Sequence, residues 1–272
     1  MAQESSLINL SKAIGIVLEK KKVPKVVVQV GTALDISGST RDMYTSGVFQ
    51  RLTDRLFALS YKFDDNQVLD SWAFHTQAYT LEPIVESMFG KYIKKYLLDN
   101  NDVKLWGGTE YLEQMLVILD HYLAPGAEST TSNQPTALFG KLAKFVSKVV
   151  SSVKMSPRPN SDHLGVSEYE TKIEDPAYIT FVTDGENGRG ERSQIEQLLE
   201  ETRNHPVFWQ FIGISDNPTG TNFSWLKSIA KKYPQVAFYN ANKIDQVSDN
   251  ELYTELLNDK FINWYTNIRK AG

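Results

Sequence analysis

The sequence contains no cysteine. This absence excludes disulfide frameworks, thiolate metal sites, thiol nucleophiles and iron–sulfur clusters. The sequence also lacks any run approaching the roughly 18 apolar residues of a membrane-spanning helix. Its first residues lack the basic start, apolar stretch and small-residue cleavage site of a signal peptide. From these absences we expect a soluble, cytoplasmic protein.

An excess of basic residues is also missing. Lys and Arg number 29 against 33 Asp and Glu, which gives a formal charge of -4. Because phosphate backbones are bound mainly by clustered positive charge, we expect no nucleic-acid partner. The 4 histidines are scattered without the paired spacing of metal ligands, so no chemistry is assigned to them.

The chain has enough apolar residues to bury a full core, with 41% hydrophobic side chains in 272 residues. Strand-like runs occupy residues 25–34, 68–74, 78–81, 178–183, 207–214 and 236–239. Helical spacing of apolar residues occupies 44–59, 85–98, 110–123, 191–204, 223–232 and 249–268. This alternation predicts an α/β domain: a doubly wound, mostly parallel six-stranded sheet with helices on both faces and one short antiparallel edge strand.

The alternating pattern also predicts the domain organisation. Residues 1–24 form an N-terminal segment, and residues 25–272 form one domain. The pattern breaks at about 125–175, where stretches rich in Pro, Ser, Thr and charge flank a helical segment. We interpret 125–175 as an insertion into the domain.

Within that insertion, residues 137–155 have the pattern of a basic amphipathic helix. One side carries Leu138, Leu142, Phe145, Val146, Val149 and Val153, and the other carries Lys141, Lys144 and Lys148. The segment has no acidic residue. Three roles remain open for it: packing over the sheet, docking in a groove of a partner protein, or contact with an anionic membrane surface.

Oxygen-bearing side chains follow the strands of this predicted sheet. Asp35 ends the first strand and is followed by Ser37 and Ser39, whose alternation can direct all three side chains into one small volume. Asp184 ends the strand at 178–183, and Thr109 follows two glycines directly before a helix. Ligands of open α/β sheets bind beyond the carboxyl ends of the strands, so we expect these five side chains to converge there.

Carboxylates and hydroxyls without nitrogen or sulfur are the ligands of a hard divalent cation. We predict Mg²⁺, with Mn²⁺ or Ca²⁺ as the alternatives. The local alternative is a turn in which Asp35 caps the following helix and the serines bond backbone amides. Trp106, just before the two glycines, is the tryptophan that we place nearest this site.

The order Asp35-x-Ser37-x-Ser39, then Thr109, then Asp184 resembles the metal-ion-dependent adhesion site of the von Willebrand factor A domain. The resemblance implies that the two serines and the threonine contact the metal directly or nearly so. The two aspartates would hold it mainly through water, and one coordination position would remain for an acidic residue of a partner.

A narrower resemblance covers residues 7–123, including the segments ALDISGST and KLWGGTEY. These look like the A-domain proteins of bacterial tellurite-resistance and stress-response clusters, typified by the carboxyl-terminal part of tellurium resistance protein F. That class usually has methionine where Thr40 stands here. The resemblance implies a role in tellurite or stress resistance, with other proteins of the same cluster as partners.

We therefore expect a metal-dependent protein-binding domain that is not an enzyme. One rival is a Mg²⁺-dependent phosphohydrolase with Asp35 as nucleophile. It is disfavoured because residue 37 is serine rather than a second aspartate, and because no lysine stands beside the motif to neutralise a phosphate. The other rival is a structural scaffold that binds no metal.

Overall fold

The computed structural model describes residues 2–23, 25–123, 175–215 and 221–271. Apart from residue 175, the predicted insertion at 125–175 lies outside the described residues, and so does its predicted basic helix at 137–155.

The described elements alternate between helices and strands. The α-helices are α1 Ala2–Lys20, α2 Arg41–Thr45, α3 Val48–Phe63, α4 Leu112–Leu123, α5 Arg192–Glu201, α6 Ser224–Lys232, α7 Asp249–Leu256 and α8 Asp259–Ala271. The strands are β1 Gln29–Asp35, β2 Leu69–Phe74, β3 Ala78–Thr80, β4 Ala177–Thr183, β5 Val207–Ser215 and β6 Val236–Asn242. Short 3₁₀ turns lie at Gly38–Thr40, Glu86–Met88, Arg189–Glu191 and Ile244–Gln246, and a π-helical turn lies at Lys94–Leu98.

The strands form one six-stranded sheet in the order β3-β2-β1-β4-β5-β6. All neighbours are parallel except β3, which pairs antiparallel with β2 at the edge. The predicted mostly parallel sheet with a short antiparallel edge strand is confirmed. The chain builds outward from β1 to one edge and then from β4 to the other, so the strand order reverses between β1 and β4. The carboxyl ends of these two strands therefore flank the crevice in which such sheets bind ligands.

Helices cover both faces of the sheet, as predicted. Successive residues of β4 point to opposite faces. Tyr178 and Val182 enter a core shared with α1, α3, α7 and α8. Ile179 and Phe181 enter a second core shared with α4, α5 and α6. Because both faces of β4 are buried, its sequence is an almost continuous apolar run.

The N-terminal segment contributes to the first of these cores. Leu10, Ile14 and Val17 of α1 are buried in the same cluster as α3, and α1 packs against α3 and α7. Among the helices of the described ranges, neither α1 nor any other is long and apolar enough to cross a membrane.

The predicted helix at 249–268 is wrong in one respect, because the structure divides it into α7 and α8. Asn258 lies at the break, where its Oδ1 accepts a hydrogen bond of 3.0 Å from the Phe261 amide. Its Nδ2 donates to Oε1 of Gln210 on β5 at 2.9 Å. Asn258 therefore caps α8 and ties the break to the sheet.

The predicted helix at 85–98 is also wrong. This segment forms the 3₁₀ turn Glu86–Met88 and the π-helical turn Lys94–Leu98 instead. Gly90 separates them with a φ of 75°. An α-helix cannot continue through a residue in the left-handed region, so the weak helical spacing here does not produce a continuous α-helix.

Candidate metal centre

Asp35 lies fully buried at the end of β1. Its Oδ1 accepts a hydrogen bond of 2.8 Å from the backbone amide of Ser37. Its Oδ2 accepts one of 2.7 Å from the hydroxyl of Thr183, the last residue of β4. The carboxylate thus fixes the turn that carries the two serines and joins this turn to the neighbouring strand.

Three oxygen atoms from two loops are in hydrogen-bond contact at the same end of the sheet. The hydroxyls of Ser37 and Ser39 are 3.2 Å apart. The Ser39 hydroxyl donates to Oδ1 of Asp184 at 2.9 Å, across 145 residues of sequence. Adjacent ligands of an octahedral ion with bonds of about 2.0–2.1 Å are separated by about 2.9 Å. The spacing and the chemistry of these atoms therefore fit a small, hard cation.

Thr109 lies on a third loop that joins the other two through its backbone. Gly107 pairs with Ser37 in a parallel bridge, and its carbonyl accepts from the Gly38 amide at 2.9 Å. The Thr109 carbonyl accepts from the amide of Gly188 at 3.4 Å, on the loop after β4. Hydrogen bonds thus link four of the five predicted site residues directly, and backbone contacts bring the loop of the fifth, Thr109, beside them.

The charge of Asp184 disfavours the ionised form of Asp35. Burial raises the pKa of Asp35 to about 7, and the charge of Asp184 adds to this effect, while hydrogen bonds from Ser37 and Thr183 oppose it. Burial also raises the pKa of Asp184. A bound cation would compensate both charges and would relieve the repulsion between them.

The donor set differs from sites built on several acidic or imidazole groups. Within the described part of the chain, no group of three or more His, Asp or Glu side chains is arranged to hold a metal. A metal ion at the crevice would therefore have to be held by the hydroxyls of Ser37, Ser39 and Thr109 in addition to the two aspartates.

Three residues that support the site were not identified from the sequence. Thr183 bonds Asp35, and the hydroxyl of Tyr111 lies 3.1 Å from that of Thr183 and donates to the Gly185 carbonyl. The hydroxyl of Tyr44 donates to the backbone carbonyl of Asp35 at 3.0 Å. The only signal in the sequence was the polar Thr183 directly before Asp184, since the tyrosines have the helical spacing of ordinary core residues.

Trp106 lies beside the serine turn, where we expected the tryptophan nearest the site. Its amide donates to the Ile36 carbonyl at 2.9 Å, and its ring packs edge-on against Tyr44 at 5.7 Å between ring centroids. The Arg41 guanidinium lies 5.8 Å from the ring. Trp106 has a φ of 72°, a strained conformation for a bulky residue that costs about 1–3 kcal/mol and is concentrated at binding sites.

Comparison with protein families gives one match over most of the chain. The model vWA-TerF-like, described as "vWA found in TerF C terminus", matches residues 27–137 and 159–272. The chain is also 29% identical over 265 residues to "Uncharacterized protein YcbR" of Bacillus subtilis (strain 168), an alignment that covers 96% of this chain and 87% of that protein.

Solved structures give more distant similarities. Proximal thread matrix protein 1 of the mussel byssus, in crystal form 2, is 16% identical with a TM-score of 0.45, over 88% of this chain and 47% of that one. A structure of the same mussel protein "with zinc occupied MIDAS motif" is 15% identical with a TM-score of 0.42, over 86% and 47% of the two chains. The chain thus spans about half the length of the mussel protein.

Proposed function

The chain belongs to the family of von Willebrand factor A domains found in the carboxyl terminus of TerF, and we propose that it is a divalent-metal-dependent protein-binding domain. The set of hydrogen-bonded oxygen atoms formed by Ser37, Ser39 and Asp184 at the β1–β4 crevice is the observation that carries this proposal. Mg²⁺ is the proposed ion, because compact oxygen-only sites suit it. Mn²⁺ and Ca²⁺ are its competitors.

Each site residue has a distinct task in this proposal. The hydroxyls of Ser37, Ser39 and Thr109 bind the ion, and Asp184 supplies negative charge from the neighbouring loop. Asp35 supplies charge from below and orients the serine turn through the Ser37 amide. When bound, the ion offers a free coordination position to an Asp or Glu carboxylate of a partner protein.

The exposure of the site supports binding of a partner. Ser39 is exposed, and Asp35 beneath it is fully buried. The oxygen set is therefore accessible to solvent at Ser39. Because the chain carries a formal charge of -4, its net charge does not attract an acidic partner at long range, and the metal must provide the attraction locally.

The geometry of Asp35 supports a binding role over an enzymatic one. In the phosphohydrolase alternative Asp35 is the nucleophile, but both of its oxygens accept hydrogen bonds from protein groups in a buried position. A phosphatase assay on generic phosphate esters with Mg²⁺ tests this alternative. We expect no turnover above background, and turnover that is abolished in Asp35→Asn would overturn the binding proposal.

The metal is tested by titration calorimetry of Mg²⁺ into the wild type, Ser37→Ala and the exposed control Ser87→Ala. We expect Ser37→Ala to weaken binding by at least about 10-fold and Ser87→Ala to bind as the wild type does. Absence of binding by the wild type, or equal binding by Ser37→Ala, would support the scaffold alternative and contradict the proposal.

The open coordination position is tested with Mn²⁺ and acetate. Mn²⁺ bound to the protein enhances the relaxation of water protons while water occupies its coordination sphere. If a carboxylate can take a position on the ion, acetate will reduce this enhancement in the wild type. An enhancement that acetate leaves unchanged would show that the site does not accept a partner carboxylate.

We propose that the partners belong to a tellurite- or stress-resistance system, a role supported by the family to which the chain belongs. Affinity capture with wild type and Asp184→Asn as baits, each in Mg²⁺ and in chelator, tests this. The expected partners bind wild type in Mg²⁺ and are lost under the other three conditions. Partners that persist in chelator would contradict a metal-dependent interaction.

A further inference from the structure

The helix α4 begins three residues after Thr109, the one predicted ligand on the third loop. A threonine hydroxyl can accept hydrogen bonds from the amides two and three residues further on, in a local side-chain turn. Those amides belong to Tyr111 and Leu112. A conformation in which the Thr109 hydroxyl bonds these two amides would withhold it from a metal.

In the structure, these amides donate hydrogen bonds to a side chain from another loop. The Tyr111 amide donates to Oε1 of Glu191 at 2.8 Å, and the Leu112 amide donates to Oε2 at 3.0 Å. The Glu110 amide donates to the His75 carbonyl at 3.0 Å. A carboxylate at this end of the helix also interacts favourably with the helix dipole. The amides of Glu110, Tyr111 and Leu112 are thus all bonded without the Thr109 hydroxyl.

Glu191 is itself held in place by the loop that follows β4. The side-chain amide of Asn187 donates to Oε1 of Glu191 at 2.8 Å, and the Gly188 amide donates to the Thr109 carbonyl at 3.4 Å. This is the loop that begins with Asp184. One segment therefore carries one proposed ligand of the metal and tethers the loop that carries another.

We propose that Glu191 is a positioning residue of the metal site, which caps α4 in place of Thr109 and so leaves the Thr109 hydroxyl free to bind the metal. This inference rests on the proposed metal-binding function. When Glu191 is replaced by alanine, the Thr109 hydroxyl turns to the vacated amides of Tyr111 and Leu112 and is lost to the metal.

A double-mutant cycle on Mg²⁺ affinity tests this coupling. The set comprises wild type, Thr109→Ala, Glu191→Ala, the double variant, and Glu200→Ala as an exposed control on α5. We expect Glu191→Ala to weaken Mg²⁺ binding about 10-fold or more, as removal of supporting residues typically does. The double variant should bind as weakly as Thr109→Ala alone, and Glu200→Ala should bind as the wild type does. Losses that multiply in the double variant would overturn the inference.

Urea unfolding in chelator provides a readout without metal. Thr109→Ala should leave the unfolding midpoint unchanged when Glu191 is present. It should lower the midpoint in the Glu191→Ala background, because Thr109 then acts as the cap. Equal effects of Thr109→Ala in the two backgrounds would overturn the inference.

The conservative variant Glu191→Gln keeps one acceptor oxygen, so its Mg²⁺ affinity should lie between those of the wild type and Glu191→Ala. An affinity no better than that of Glu191→Ala would contradict capping by the side-chain oxygen. Absence of Mg²⁺ binding by the wild type would overturn the proposed function and this inference with it. If the wild type binds Mg²⁺ but the affinity losses of the two single variants multiply in the double variant, this inference alone would be overturned.

Discussion

The imidazole of His75 fills the space in which a side chain at Gly107 would lie. A β-carbon on residue 107 would be 2.6 Å from Cγ of His75. The ring is held from both sides, since its Nδ1 accepts from the Gln77 amide at 3.1 Å and its Nε2 lies 3.1 Å from the Tyr79 hydroxyl. The absence of a side chain at Gly107 thus allows the Thr109 loop to approach the serine turn.

Replacement of Gly107 by alanine should displace this loop. A rigid ring at 2.6 Å from the new β-carbon forces the backbone to move, and overpacking of this kind costs typically about 1–3 kcal/mol. We expect a lower free energy of unfolding and weaker Mg²⁺ binding, measured by urea unfolding and calorimetry. Gly190→Ala is the control, because nothing lies within 4 Å of a β-carbon there. Wild-type Mg²⁺ affinity in Gly107→Ala would contradict the prediction.

Replacement of Asp184 by asparagine should make the metal-free protein more stable at pH 8. The charge of Asp184 raises the pKa of Asp35, so its removal relieves repulsion between two ionised groups. The same variant should lose stabilisation by Mg²⁺, which for a site at 100 times its Kd amounts to about 2.7 kcal/mol in the wild type. Thermal unfolding with and without Mg²⁺ measures both effects. The exposed control Asp120→Asn should behave as the wild type. A melting temperature of Asp184→Asn that rises with Mg²⁺ as in the wild type would argue against the site.

Asp54 should make stability depend on pH. Burial raises the pKa of this carboxyl to about 6 from its ordinary 3.8, although the Gly90 amide and the Gln50 side chain donate hydrogen bonds to it. The folded protein therefore holds the proton more tightly than the unfolded chain does. The free energy of unfolding should consequently fall as the pH rises from about 4 to about 6, and this contribution should be constant at higher pH.

Urea unfolding of Asp54→Asn across this range tests that dependence. The free energy of unfolding should depend on pH less steeply in this variant than in the wild type. The dependence should not vanish, because burial also raises the pKa of Asp64 to about 6, and Asp64 contributes with the same sign. Replacement of the exposed Asp99 by asparagine should leave the slope as it is in the wild type. A slope unchanged in Asp54→Asn would show that this carboxyl does not titrate in the expected range.

Two isoleucines of α1 test whether this helix belongs to the domain core. Ile14 is fully buried and Ile16 is 45% exposed, so the two residues differ in burial within one helix. Ile14→Ala should lower the free energy of unfolding by about 2–5 kcal/mol, whereas Ile16→Ala should change it by about 0.5 kcal/mol or less. Urea unfolding compares them. Helix α1 precedes the family match, which starts at residue 27. Equal effects of the two substitutions would indicate that α1 does not pack against the core as described.

Much of the fold was predictable because central strands are buried on both faces. The apolar runs at 25–34 and 178–183 identified β1 and β4, and the polar interruption between 68–74 and 78–81 identified the antiparallel edge pair. The division between α7 and α8 was not predictable, because helical spacing of apolar residues continues through Asn258. The bond that ties this residue to the sheet comes from β5, 48 residues away.

The chemistry available at the crevice follows from the order of residues in the chain, since Asp35, Ser37 and Ser39 follow a strand in one local pattern and Asp184 ends a second strand. The way in which these oxygens are held depends on contacts between distant parts of the chain. Thr183 reaches Asp35 across 148 residues, and Glu191 reaches the start of α4 across 79. Local patterns report the preference of a residue for a strand, a turn or a cap, whereas such contacts depend on which strands become neighbours when both faces of the sheet are packed.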